Sequence, residues 1–246
     1  MSIICTTYTP EAIVMAADSR VSVNMNYQSK NDSSKSITHI FPMSDNVQKV
    51  FLLKKVQVGI SAVSGFADNT NKMISQYIDE FEKEAVRTGD SILDVAEKLS
   101  SRLQGGVTCH VAGYDGGEPF FYSVTGSECK RLNVKNTNIE YGITWSGEVS
   151  ILQKLMMADP KLAVDFKTFS VTDTVEFTEF LINTVIGVQR FEMKPKTCGG
   201  AVDLLVLRRD GAFWHKHKVY DRRFMEIPQA QRSNMYITDQ NGNTIN

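Results

Sequence analysis

The chain opens with two short runs of strand-forming residues around a proline turn, and this pair constrains the fold more than any other segment. Ser2-Ile3-Ile4-Cys5-Thr6-Thr7 meets Tyr8-Thr9-Pro10-Glu11; Ala12-Ile13-Val14-Met15-Ala16-Ala17 follows and ends in Asp18-Ser19-Arg20. Two β-type runs around a proline-bearing turn read as an antiparallel hairpin. Centred on Pro10, the hairpin sets residues whose numbers sum to twenty against each other, so Ser2 is expected opposite Asp18.

Downstream, the polar stretch 24–46 reads as a long loop, either a surface insertion or a rim over a site. A second hairpin is expected over 47–53 and 56–63, with Lys54-Lys55 at its turn, ending at Ser64-Gly65-Phe66-Ala67-Asp68. Helical spacing places Met73, Tyr77, Ile78 and Phe81 on one side of a helix over 67–86. Ile92, Val95, Ala96 and Leu99 form the stripe of a second helix, capped by Asp90 or Ser91 and stopped by Gly105-Gly106. Strands return over 107–114, 119–125, 130–134 and 138–143. Trp145-Ser146-Gly147 then opens a helix over 148–158, a further helical region covers 172–191, and a last hairpin joins 201–207 to 212–220.

Strands, two helices, strands, two helices and strands again are satisfied by an α+β fold, a four-layer α-β-β-α sandwich of two stacked antiparallel sheets. One domain is expected over 1–220, with a polar tail over 221–246 that carries an apolar patch at Phe224–Ile227.

Composition narrows the function classes. A net charge of −1 gives no electrostatic reason to expect nucleic acid or an anionic membrane as partner. No apolar run approaches the roughly eighteen residues of a membrane span, and no secretory leader pattern is present. Cys5, Cys109, Cys129 and Cys198 are scattered with no CxxC pair, so reduced thiols in a cytoplasmic protein are expected rather than a zinc site or disulfide framework. The histidines read as structural: His39 in the polar stretch, His110 within a strand, His215 and His217 on one face of the last strand. No metal or organic cofactor is called for.

Chemistry concentrates at the start. A small residue at position 2 permits removal of the initiator Met, which makes Ser2 the chain terminus. A terminal Ser carries a hydroxyl nucleophile and an α-amine on one residue, and the amine, with an ordinary pKa of about 7.7–8.0, can serve as general base near neutral pH. A neighbouring carboxylate and arginine, Asp18 and Arg20, are what an N-terminal-nucleophile hydrolase needs.

With these pieces placed, the chain resembles the proteasome β-subunit family, including bacterial proteasome-like peptidases, from about Ser2 to Tyr220. Ala12-Ile13-Val14-Met15-Ala16-Ala17-Asp18-Ser19-Arg20 is similar to the family strand that ends in Asp-Ser-Arg, and the family nucleophile lies sixteen residues before that Asp, which is Ser2 here. Gln48-Lys49-Val50-Phe51 resembles the lysine-bearing strand, Ala62 to Asp68 the segment before the first helix, Trp145-Ser146-Gly147-Glu148 the Ser-Gly turn, and Cys198-Gly199-Gly200-Ala201-Val202-Asp203 the turn before the last hairpin. The resemblance implies catalytic roles for Ser2, Asp18, Lys49 and Ser146. Arg20, Ser64, Gly65 and Cys198 would support them, Ser64 and Gly65 by offering backbone N–H to an oxyanion.

Four departures stand out: Ser replaces the usual Thr nucleophile, Ser64 the usual Gly, Pro195 stands where an Asp is common, and Cys198 replaces a common Ser. The resemblance implies an endopeptidase acting on polypeptides, a homo-oligomeric ring and an ATPase partner. The alternatives are a non-catalytic assembly subunit of the same fold, and an amidase or acylase with the same nucleophile acting on a small amide.

Overall fold

A computed structural model describes residues 2–29, 32–67, 72–103, 106–158, 162–217, 237–238 and 244–245, with backbone alone over 24–29, 32–39, 237–238 and 244–245. The expected patch at 224–227 lies outside the described residues.

The first hairpin forms as β1 (Ile3–Tyr8) and β2 (Ile13–Ala17). Its register differs from the expected one by a single residue: Ile4 faces Ala17 and Tyr8 faces Ile13, so facing pairs sum to twenty-one. The turn gives the reason. Thr9 N–H donates to Ala12 O at 3.0 Å, closing a two-residue loop centred between Pro10 and Glu11 rather than on Pro10. Ile3, not Ser2, therefore lies against Asp18.

The stretch 24–46 is also corrected. It is not a loop: β3 (Val21–Ser29) and β4 (Asp32–Ser44) pair as a long antiparallel ribbon. Paired backbones satisfy each other's N–H and C=O groups, so a polar composition does not oblige a segment to be irregular.

The chain continues through β5 (Val50–Leu53), β6 (Val58–Ala62), α1 (Ile74–Glu84), α2 (Ile92–Arg102), β7 (Thr108–Asp115), β8 (Glu118–Thr125) and β9 (Glu128–Arg131). A two-stranded pair, β10 (Val134–Lys135) and β11 (Asn138–Ile139), precedes β12 (Gly142–Gly147). Then come α3 (Ser150–Met157), α4 (Val171–Phe191), β13 (Asp203–Arg208) and β14 (Gly211–Lys216). Ser91 caps α2 and Ser170 caps α4, each in a reciprocal box with the aspartate three residues on, Asp94 and Asp173. In the tail, β15 (Ile237–Thr238) pairs with β16 (Thr244–Ile245).

The protein is α+β, with two five-stranded antiparallel sheets ordered β12-β1-β2-β13-β14 and β5-β6-β7-β8-β9. Alternation along β1 and β2 divides their side chains. Ile4, Tyr8, Ile13, Met15 and Ala17 pack with Val50, Ala112 and Phe121 of the second sheet. Ile3, Cys5, Val14 and Ala16 pack on the other face, against Leu181, Ile182 and Val185 of α4 and Ile151 and Leu152 of α3. Ile78 and Phe81 of α1 and Val95 and Leu99 of α2 cover Phe51, Ile60 and Val111 of the second sheet. β1 is thus an interior strand with both faces buried, and at about 25 cal/mol per Å² of apolar area such burial fixes its register firmly. No described helix is long and apolar enough to cross a membrane.

Candidate active site

The strand order brings Ser2, Asp18 and Lys49 together. Ser2 precedes β1, Asp18 follows β2, and Lys49 precedes β5 in the facing sheet, where its carbonyl accepts Ala62 N–H at 2.9 Å. All three are buried, with 2%, 1% and 0% exposure. Lys49 Nζ lies 2.7 Å from Ser2 Oγ, 2.8 Å from Asp18 Oδ1 and 2.5 Å from Arg20 O. An ammonium has three donors and no acceptor capacity, so three acceptors around it are a complete set. Burial pushes the Lys49 pKa down, opposed by Asp18.

Asp18 reaches Ser2 through Lys49 rather than by facing it across the hairpin. Its Oδ1 also accepts Ile3 N–H at 3.1 Å, and its Oδ2 accepts Arg20 N–H and Gly199 N–H, both at 3.0 Å. Four donors therefore hold the carboxylate. Arg20 contributes here by its backbone; its guanidinium grips Asp45 through two bonds, Nε to Oδ1 at 2.6 Å and a terminal N–H to Oδ2 at 2.7 Å. A Cβ on Gly199 would lie 2.6 Å from the Arg20 guanidinium carbon, so the bare backbone lets the guanidinium lie against Gly199 while it grips Asp45.

Ser146 is a strand residue rather than the opening of a helix. It lies within β12 opposite Ile4, while α3 starts at Ser150 behind Val149, which provides no side-chain cap. Its Oγ lies 3.0 Å from His110 Nε2, and His110 Nδ1 lies 2.8 Å from Thr6 Oγ1. Burial lowers the His110 pKa from 6.5 to about 3, so the imidazole is neutral. The sequence presents His110 as a structural histidine and does not disclose its link to Ser146. The available signal was a histidine on an apolar strand, which must find partners when buried. Next to Ser146, Gly147 has φ +100°, and a Cβ there would lie 1.9 Å from Ser2 O, whose acceptor site is taken by Glu148 N–H at 2.8 Å.

A cavity of about 230 Å³ opens beside Ser2, lined by Val21, Val63, Ser64, Gly65 and Thr108 among others. Ser64 is not among the residues with left-handed backbone, so a serine stands there without strain. Its hydroxyl accepts Phe66 N–H at 3.0 Å, and neither the Ser64 nor the Gly65 N–H is engaged among the described residues.

Two positions stand apart. Cys198 is buried under Ile3 and Cys5, its N–H held by Gln189 Oε1 at 2.9 Å and its thiol pushed up to about 12 by burial. That side chain is an inert thiol with no hydrogen bond to Ser2. Pro195 is exposed on the rim of a separate small cavity that Glu148 also lines. Among the described residues, no cluster of His, Cys, Asp and Glu has the arrangement to hold a metal ion.

No family model matches the chain, and no curated protein is significantly similar to it.

Proposed function

We propose that the chain is an amide hydrolase of the N-terminal-nucleophile type, akin to proteasome β-subunits, with Ser2 as nucleophile. The observation that carries this reading is the sealed Lys49 ammonium 2.7 Å from Ser2 Oγ, itself held by Asp18 at 2.8 Å. Burying a cation against a serine hydroxyl costs several kcal/mol of desolvation, which structure alone does not require. The packing of α1 and α2 on one sheet, α3 and α4 on the other, and the sheets on each other supports a four-layer α-β-β-α sandwich of the same type.

In this mechanism Ser2 Oγ attacks the amide carbon while its proton passes to the terminal amine. The ammonium of Lys49 lowers the hydroxyl pKa, and the tetrahedral oxyanion takes the Ser64 N–H across the cavity. The C–N bond breaks as the amine-held proton moves to the leaving nitrogen, leaving an ester on Ser2. Water, deprotonated by the same amine, then releases the acid and restores the hydroxyl.

Intact-mass measurement and labelling test the proposal together. Loss of Met1, with modification at Ser2 by an electrophilic peptide that disappears in Ser2→Ala, is the expected result. Retention of Met1 would exclude every catalytic version and leave the assembly-subunit reading. The modest cavity favours a second reading, a small acyl group rather than a polypeptide. Turnover of an acylated small amide without casein cleavage would select it. A ring-forming peptidase sediments as an oligomer, and a monomer at working concentration would refute that form of the proposal.

A further inference from the structure

His110 sits between the two sheets with no exposure and its ring edge-on to Phe121, centroids 5.1 Å apart. Its nitrogens bond two different strands, Nδ1 to Thr6 Oγ1 and Nε2 to Ser146 Oγ. The proton arrangement follows from burial. Thr6 is fully buried, and His110 Nδ1 is the one hydrogen-bond acceptor its hydroxyl has among the described residues. A sealed hydroxyl left without an acceptor is strongly disfavoured, so Thr6 donates to Nδ1. A neutral imidazole carries one N–H, which then lies on Nε2 and donates to Ser146 Oγ. Ser146 keeps its own O–H and one lone pair for use elsewhere.

That remaining capacity lies at the start of β1. Ile4 faces Ser146 and Glu148 N–H bonds Ser2 O, so Ser2 and Ser146 are diagonal neighbours on the face that looks toward the second sheet. We infer that His110 is a positioning residue for Ser146. Its Nε2–H fixes the serine oxygen, so that the Ser146 O–H is set toward the Ser2 terminus before substrate arrives. The chain Thr6–His110–Ser146 is then a second polar arm, from the opposite side to Lys49. The inference rests on Ser2 being the nucleophile.

The test measures the rate of covalent modification of Ser2 by a peptide vinyl sulfone in wild type, His110→Leu, His110→Gln, Ser146→Ala and the His110→Leu/Ser146→Ala double variant. Each of His110→Leu and Ser146→Ala should slow modification about ten- to hundred-fold, the scale of a misplaced catalytic group. The double variant should be no slower than either, because both remove one device. His110→Gln, whose amide N–H can reach Ser146, should recover much of the rate. Imidazole ¹⁵N resonances at neutral pH should show Nε2 protonated and Nδ1 bare, with Nε2 shifting in Ser146→Ala; this readout does not require His110→Leu to fold. Multiplying losses in the double variant, no recovery in His110→Gln, or a proton on Nδ1 would overturn the positioning role while Ser2 still reacts. An unreactive wild-type Ser2 would instead remove the nucleophile reading, and the positioning role with it.

Discussion

Asp18 and Lys49 form one ion pair, yet the structure makes them unequal, and that inequality can be measured. Lys49→Met keeps the side-chain length and removes the ammonium. Asp18 then loses one donor of four and keeps Ile3, Arg20 and Gly199 N–H, so its charge stays well solvated by the backbone. Asp18→Asn is worse. Each oxygen accepts two donors, so the amide NH₂ must point either at Arg20 and Gly199 N–H or at Ile3 N–H and Lys49 Nζ. Two buried donors are stranded whichever way it turns, at about 1–3 kcal/mol each. Lys49 also loses its one carboxylate partner. We expect Asp18→Asn to cost about 3–5 kcal/mol, the range for a broken buried pair, and Lys49→Met about 2 kcal/mol less than that. Urea unfolding followed by tryptophan fluorescence reads the difference. With a slope of about 2–3 kcal/mol per molar, the midpoints should differ by about 0.7–1 M. Equal midpoints, or a lower one for Lys49→Met, would refute the claim that the backbone N–H groups hold the carboxylate.

Three further outcomes are expected. Because His110 titrates near 6.5 when unfolded and near 3 when folded, the unfolded chain binds more protons between those values. Its contribution is therefore complete above about pH 6.5 and is lost as pH falls toward 3, at up to roughly 1 kcal/mol per pH unit. Wild type should lose stability relative to His110→Gln on acidification from about pH 7.5 to about pH 5; a gap that does not change with pH counts against the buried neutral ring. Gly147→Ala places a methyl 1.9 Å from Ser2 O in a left-handed backbone, and should both lower the melting temperature and abolish modification of Ser2; unchanged labelling would refute the close approach. Ser91→Ala removes the reciprocal cap of α2 and should cost about 1 kcal/mol by urea unfolding, with labelling of Ser2 unaffected.

Much of this was legible in the residues. The Asp-Ser-Arg ending of β2 and the lysine of Gln48-Lys49-Val50 mark polar groups beside apolar strands, where burial demands partners. The register was not legible from Pro10 alone, because whether a turn centres on a residue or between two depends on which backbone pair closes it; here Thr9 and Ala12 do. The ribbon of β3 and β4 carried a readable signal in the alternation of Val21, Val23, Met25 and Tyr27 with Ser22, Asn24, Asn26 and Gln28, obscured by overall polarity. Ser146 looked like a helix opening because a serine before a glycine suits a cap, but β12 runs on through Gly147 to pair with Ile3. His110 meets Ser146 from the opposite sheet across 36 positions of sequence, a pairing that no local pattern encodes.

The Arg20–Asp45 grip closes the neck of the β3–β4 ribbon, since one partner precedes β3 and the other follows β4. The chain leaves the body and returns to it at one fastened point. The ribbon's ends still belong to the body beyond that point, since Val21 is buried and lines the cavity beside Ser2, and Ile40 lines the one that Glu148 shares. A change in the ribbon's first residues therefore reaches the substrate side of Ser2, whereas the grip holds the backbone at Arg20, whose carbonyl Lys49 Nζ bonds.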